Sequence, residues 1–195
     1  MFRFLTPVFV LRCAIVLAQS DASDGNGSIR GRCGDSDIVI TTTARLAGAI
    51  HSLTWNGKEF IDSADHGRQL QSASNFDAGS AFTSETFNPT EAGSMHDGPG
   101  EQKHPVAVST EDGRFSMGIY APDQPSKGFE NAGYGRWYFG PQHVVKWNCV
   151  FRIRDVNGIA ARDYSFRMFV IIGTLEDVRI SIIRLHSANA GQFPE

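Results

Sequence analysis

The chain has 195 residues, 41% of them hydrophobic and 20% charged, with 20 Gly and 8 Pro. That is the composition of one ordinary globular domain and excludes collagen, coiled coil and wholesale disorder. With 18 basic against 21 acidic residues the formal charge is -3, so no global basic field exists to collect a phosphate backbone, which argues against nucleic acid as a partner.

Residues 1–20 begin with a cation at Arg3, continue through an apolar stretch and end on the small residues Ala18 and Ser20. The pattern resembles a secretory signal, with Arg12 interrupting the apolar part, and it implies a secreted or periplasmic protein with no membrane association after cleavage. The stretch is short of the roughly 20 apolar residues a spanning helix needs. Cleavage would remove Cys13 and leave Cys33 and Cys149. Whether those two pair is open from their number alone, while the apolar run around Cys149 favours a buried free thiol.

Residues 21–36 are small and polar and read as a flexible linker. From residue 37 to 188 the patterns are those of one β-domain. Asp37–Thr43 is rich in β-branched residues and reads as a strand. Ala49–Trp55 alternates, and Asn56-Gly57 supplies the positive φ angles of a tight hairpin before Lys58–Ile61. Between residues 62 and 105 the pattern dissolves into Gly, Ser, Asn and Asp and reads as one long loop.

Strand character returns at Pro105–Ser109 and Phe115–Tyr120, with a turn at residues 111–114 between them, and at Tyr134–Phe139 after a Pro/Gly loop. His143–Arg154 alternates Val145, Trp147, Cys149, Phe151 and Ile153 against polar residues, and Asp163–Ile172 reads as the strand that pairs with it. A helix begins at Thr174, a good N-cap with Glu176 and Asp177 in the first turn. Its stripe is Leu175, Val178, Ile182 and Leu185, and residues 189–195 form a tail. Many strands, long polar loops and one C-terminal helix give a mainly β fold, an antiparallel β-sandwich.

The sequence carries no dinucleotide loop, P-loop, HExxH or GxSxG motif, and no spacing of Cys or His that specifies a metal. The expectation is no cofactor and no metal. Asp62, Asp65, His66 and Arg68 sit just after the hairpin. On a rim loop they offer a proton-transferring imidazole, an orienting carboxylate and a guanidinium fork for a hydroxylated or anionic ligand. Glu85, Asn88, Glu91, His96 and His104 read as loop polarity. Tyr134, Arg136, Trp137 and Tyr138 make an aromatic and basic patch suited to sugar rings, although alternating aromatics also build cores.

Leu46–Ile61 followed by Asp65-His66-Gly67-Arg68-Gln69 resembles the opening of galactose-mutarotase-like proteins, with their small-residue hairpin and the Gly-Arg loop that enters the sugar site. The resemblance spans about 30 residues by this motif reading. It implies a large β-sandwich with a carbohydrate on its concave face and Arg68 as a contact to a sugar hydroxyl or carboxylate. No paired-His pattern or late-strand Glu is recognisable, so the reaction is unassigned, with His66 the catalytic candidate and Asp65, Arg68, Arg136 and Trp137 the substrate-binding ones. The family's sandwiches are longer, which leads to the expectation that central strands are missing near residues 94–100. Three functions fit: an exported carbohydrate-binding or carbohydrate-processing protein, a non-catalytic interaction domain, and a metal-dependent polysaccharide lyase or hydrolase. Oligomeric state is left open.

Overall fold

The computed structural model describes residues 15–16, 25–61, 69–77, 82–90, 93–95, 100–126, 128–139, 141, 144–152 and 158–189. These form three antiparallel sheets and one helix, a mainly β sandwich as the sequence predicts. The first sheet is a meander of β1 (Ile15–Val16), β2 (Gly27–Cys33), β3 (Ser36–Thr43), β4 (Ala49–Trp55) and β5 (Lys58–Glu59). Asn56 at φ 48° and Gly57 at φ 75° make the predicted hairpin turn, a conformation whose twist suits antiparallel neighbours. Glu59 then locks the hairpin. Its Oε1 accepts the backbone N–H of Leu53 at 3.1 Å, of Phe60 at 3.0 Å and of Ile61 at 2.9 Å, while Oε2 accepts the Ser52 hydroxyl at 2.5 Å.

Residues 27–33 correct the linker expected over 21–36. They are a full strand, paired with β3 from Gly27↔Thr42 to Cys33↔Ser36. A ladder is made by backbone groups, so β3 can recruit a polar neighbour that shows no apolar alternation. Gly34, at φ 60°, supplies the turn between them.

The long loop expected over 62–105 is also corrected. In its described part lie β6 (Ala73–Phe76), β7 (Phe82–Asn88), β8 (Gly93–Met95) and β9 (Gly100–Gln102). One of these strands is internal: β7 lies inside the middle sheet, whose order is β14 (Phe169–Gly173), β11 (Ser116–Tyr120), β10 (Val106–Thr110), β7, β8. Its sequence hides this because Glu85 and Thr86, both buried, interrupt the apolar pattern.

The third sheet runs β6, β13 (Val144–Cys149), β12 (Tyr134–Phe139), β9. Here the expected pairing of 143–154 with 163–172 fails. β12 and β13 form a local hairpin from Tyr134↔Cys149 to Phe139↔Val144, and β6 occupies the other edge of β13. With both edges of β13 filled, β14 pairs with β11 instead, from Ser116↔Gly173 to Tyr120↔Phe169. Residues 163–168 precede that strand without joining a ladder.

The middle sheet is covered on both faces. On one, Val106, Val108, Met117 and Ile119 pack with Phe76, Tyr134, Val145, Trp147 and Cys149 of the third sheet and with Leu53, Phe60 and Ile61 from the first hairpin. On the other, Phe87, Ala107 and Tyr120 meet Val178 and Ile182 of α1 (Leu175–Asn189). The helix starts as predicted: Asp177 N–H donates to Thr174 Oγ1 at 3.2 Å and Thr174 N–H donates back to Asp177 Oδ2 at 3.1 Å, a reciprocal cap. Gly118 lets α1 approach, because a Cβ there would lie 2.5 Å from Val178 Cγ1. Among the described residues no helix is long and apolar enough to cross a membrane. No disulfide joins Cys33 to Cys149, and burial pushes the pKa of the Cys149 thiol up to about 12.

Three outcomes follow from this packing. Gly118→Ala is expected to cost about 1–3 kcal/mol through overpacking against Val178, read from the urea midpoint. Glu59→Ala, which removes the side-chain acceptor of the Leu53 and Ile61 amides while Phe60 N–H keeps Leu53 O at 2.9 Å, is expected to cost about 2 kcal/mol in the same assay. The raised thiol of Cys149 contributes stability that is fully present below its unfolded value of about 8.5 and is lost as pH rises towards the folded value. Wild type is therefore expected to lose stability faster than Cys149→Ala as pH is raised above about 8.5; equal slopes would contradict that linkage.

Candidate functional site

At one end of the middle sheet a cleft of about 300 Å³ opens between sheet, loop and helix. Its lining comes from the end of β7 (Asn88) with Pro89 and Thr90, the approach to β10 (Lys103, His104, Pro105), and Tyr120 at the end of β11. The loop after β11 adds Pro122, Gln124 and Pro125, β12 adds Tyr134, and the last turn of α1 adds His186. β7 and β10 are neighbours in the sheet, and the Phe87 N–H donates to Pro105 O at 2.9 Å, so the two polar segments beyond them leave the sheet side by side.

The walls are fixed by specific contacts. The Tyr134 hydroxyl donates to Ala121 O at 3.1 Å and accepts the Ala121 N–H at 3.0 Å, pinning the corner where β11 becomes the loop. Burial raises that phenol's pKa well above the ordinary tyrosine value, so it remains a neutral hydrogen-bonding group. Gly133 admits the loop, since a Cβ there would lie 2.9 Å from Pro125 Cα. Asn88 Oδ1 accepts the Thr90 N–H at 3.0 Å and hydroxyl at 2.7 Å, and Gln124 Oε1 accepts the Ser126 N–H at 3.1 Å. Both carboxamides are thereby oriented at the rim.

Tyr120 stands edge-on to His186, with ring centroids 6.3 Å apart and planes at 83°. Its pKa is raised, first by burial and then by the Asp123 carboxylate, with the Arg167 guanidinium acting in the opposite sense. His186 is placed by the helix, which is itself tied to β7 by Arg179. The guanidinium Nε and Nη2 each donate to a separate oxygen of Glu85 at 2.9 Å. These bonds hold the Arg179 pKa above its usual value, burial opposing them. His186 follows seven residues later, nearly two turns along the same side of the helix.

The predicted site residues are distributed differently. Asp65, His66 and Arg68 lie outside the described residues, as do Asp62, Glu91 and His96. Arg136 is buried and reaches across the sandwich, donating to Ser84 Oγ at 3.3 Å. Trp137 lies half-buried on the opposite face of β12, its indole folded over Gly135, where a Cβ would meet the ring at 2.3 Å. Tyr138 is exposed and stacks edge-on with Phe82 at 4.7 Å. Neither Arg136 nor Trp137 lines the cleft. The strand's alternation separates these neighbours, which looked like one patch in the sequence.

His104 and Asn88, read as loop polarity, do line the cleft, and Tyr120, Gln124, Lys103 and His186 join them unannounced. A strand ending in Tyr120 ahead of a Pro-rich loop is a signal that could have flagged half of this site. His186, in the last turn of the helix, carries no such signal. Among the described residues no three His, Cys, Asp or Glu side chains gather as metal ligands would. No family model matches the chain, and no curated protein or solved structure matches it either.

Proposed function

We propose that this chain is an exported carbohydrate-binding protein with a mutarotase-like sandwich, and that the cleft beside Tyr120 and His186 holds the sugar. The observation that carries this reading is the make-up of the lining. The rings of Tyr120, His186 and the prolines supply apolar faces, while Asn88, Thr90, Gln124, Lys103 and His104 supply hydrogen-bonding groups around them. A sugar has the same two characters, C–H faces that lie on rings and a rim of hydroxyls. A volume of about 300 Å³ is at the low end of small-molecule sites and suits a single ring. The leader-like residues 1–20 support export, and the resemblance over residues 46–69 supports the mutarotase-like reading, with Arg68, Asp65 and His66 as the contacts it implies. The reaction, if any, is unassigned.

A second reading, a protein-interaction domain, is favoured by the exposed rings of Tyr138 and Phe139, the first of them stacked edge-on with Phe82. Calorimetry against a panel of neutral and acidic mono- and oligosaccharides separates the two. The expected outcome is binding of at least one member, weakened roughly three- to tenfold by His186→Ala with the urea midpoint little changed, and Arg68→Ala is the companion variant that tests the contact the resemblance implies. A folded protein that binds no member of the panel would turn the choice to the interaction domain.

A further inference from the structure

Asn26-Gly27-Ser28 is an acceptor sequence for N-linked glycosylation, and it is the only one in the chain, since Asn88-Pro89-Thr90 carries the proline that such an acceptor excludes. It lies a few residues beyond the cleavage point expected after Ser20. Asn26 is exposed and immediately precedes β2. Its carboxamide is oriented: Oδ1 accepts the Ala44 N–H at 3.0 Å, and the Thr42 hydroxyl donates to Gly25 O at 3.1 Å, so this end of β2 is tied to the end of β3. A planar amide whose oxygen is turned towards the protein carries its nitrogen on the other branch. An exposed Asn is ordinary, whereas Ser28 is not. Among the described residues its Oγ is buried without a hydrogen-bond partner, an arrangement that costs stability and that an apolar side chain would avoid.

We propose that Asn26 carries an N-linked glycan, added during export and before β2 pairs with β3. The inference rests on the export part of the proposed function and is independent of what the cleft binds. In the transfer an oligosaccharide leaves a polyisoprenyl diphosphate donor: the bond from its anomeric carbon to the diphosphate oxygen breaks, a bond from that carbon to Asn26 Nδ2 forms, the lipid diphosphate departs, and Nδ2 gives up one proton. In the unfolded chain the Ser28 hydroxyl reaches the carboxamide two residues back. The same reach exists at Asn88 and Thr90, where the hydroxyl donates to Oδ1 at 2.7 Å. This use accounts for a hydroxyl that the folded protein leaves unpartnered. Folding accepts the product, because the glycosylated amide keeps Oδ1 for the Ala44 N–H and one N–H on Nδ2. The glycan has a local effect: β1 (Ile15–Val16) lies within the leader, so cleavage leaves β2 as an edge strand with Ile29 48% exposed, and a bulky sugar at its start hinders addition of another chain there.

The test is expression of the full chain in a secreting eukaryotic host, with peptide mass spectrometry before and after peptide N-glycosidase, which releases the sugar and leaves a carboxylate at the modified position. The expected result is secreted protein that has lost residues 1–20 and bears, on the peptide containing Asn26, an added oligosaccharide mass in most molecules that the glycosidase removes. Asn26→Gln and Ser28→Ala are each expected to abolish the added mass, whereas Ser28→Thr keeps it. Masses are read from the cell lysate as well as the medium, so a variant that folds poorly still reports its modification. Secreted and processed protein with a bare Asn26 overturns this inference and leaves export in place. An added mass at Asn26 that survives Ser28→Ala overturns the role given to the Ser28 hydroxyl. Wild-type chain held in the cytosol with residues 1–20 intact overturns the export reading and this inference together.

Discussion

The middle sheet must be covered on both faces, and the rest of the architecture is arranged to do it. β10 and β11 are buried along nearly their whole length, so they have no wet side on which to place polar residues. A two-layer sandwich would leave Phe87, Ala107 and Tyr120 in water, and α1 removes that exposure. The contact at Gly118 is the tightest point of this arrangement, because a strand lying flat under a helix needs somewhere for the helix to approach. The reciprocal cap of Thr174 and Asp177 starts the helix directly after β14, and the Leu175 N–H donates to Gly113 O at 2.9 Å. The helix therefore begins at the β10–β11 turn and crosses the sheet from there.

Glu85 and Arg179 fix the helix in rotation as well as position. The Glu85 carboxylate is only 4% exposed, whereas the Arg179 side chain retains 30%, so the pair is half in and half out of water. Apolar packing alone tolerates small slides of a helix over a sheet, while a bidentate guanidinium–carboxylate contact specifies one geometry. Such a pair adds little net stability once desolvation is counted, and its contribution is to register. Through it β7, a polar strand with little apolar signal of its own, determines where His186 meets Tyr120.

The third sheet meets the middle one with a core that is apolar at its centre and polar towards one side. Trp147, Val145 and Cys149 fill the centre, whereas Arg136 bridges to Ser84 across the sandwich. Outside this layer Arg152 pairs with Glu101 and lies over the ring of Phe129, 4.8 Å from its centroid, closing the loop that precedes β12 onto the sheet. The cleft lies where these two layers and the helix end together, at the point where the loop between β11 and β12 must turn from one sheet to the other.

The features legible in the sequence are those whose causes lie within a few residues. Asn56-Gly57 specifies its hairpin because those two positions adopt left-handed angles locally. Thr174 and Asp177 specify a helix start for the same reason, and the alternation of Val145, Trp147 and Cys149 marks a strand with one buried face. The mainly β class followed from such pieces. Partner choice did not, because a strand's two edges are chemically alike and only the competition among all strands decides which neighbour each receives. That competition gave β13 to β12 and β6, recruited the polar residues 27–33 and 82–88 into ladders, and left β14 beside β11. The cleft was illegible for the same physical reason: Asn88, His104, Tyr120, Gln124 and His186 are far apart in the chain, and only the packing of α1 across the middle sheet brings them to one place.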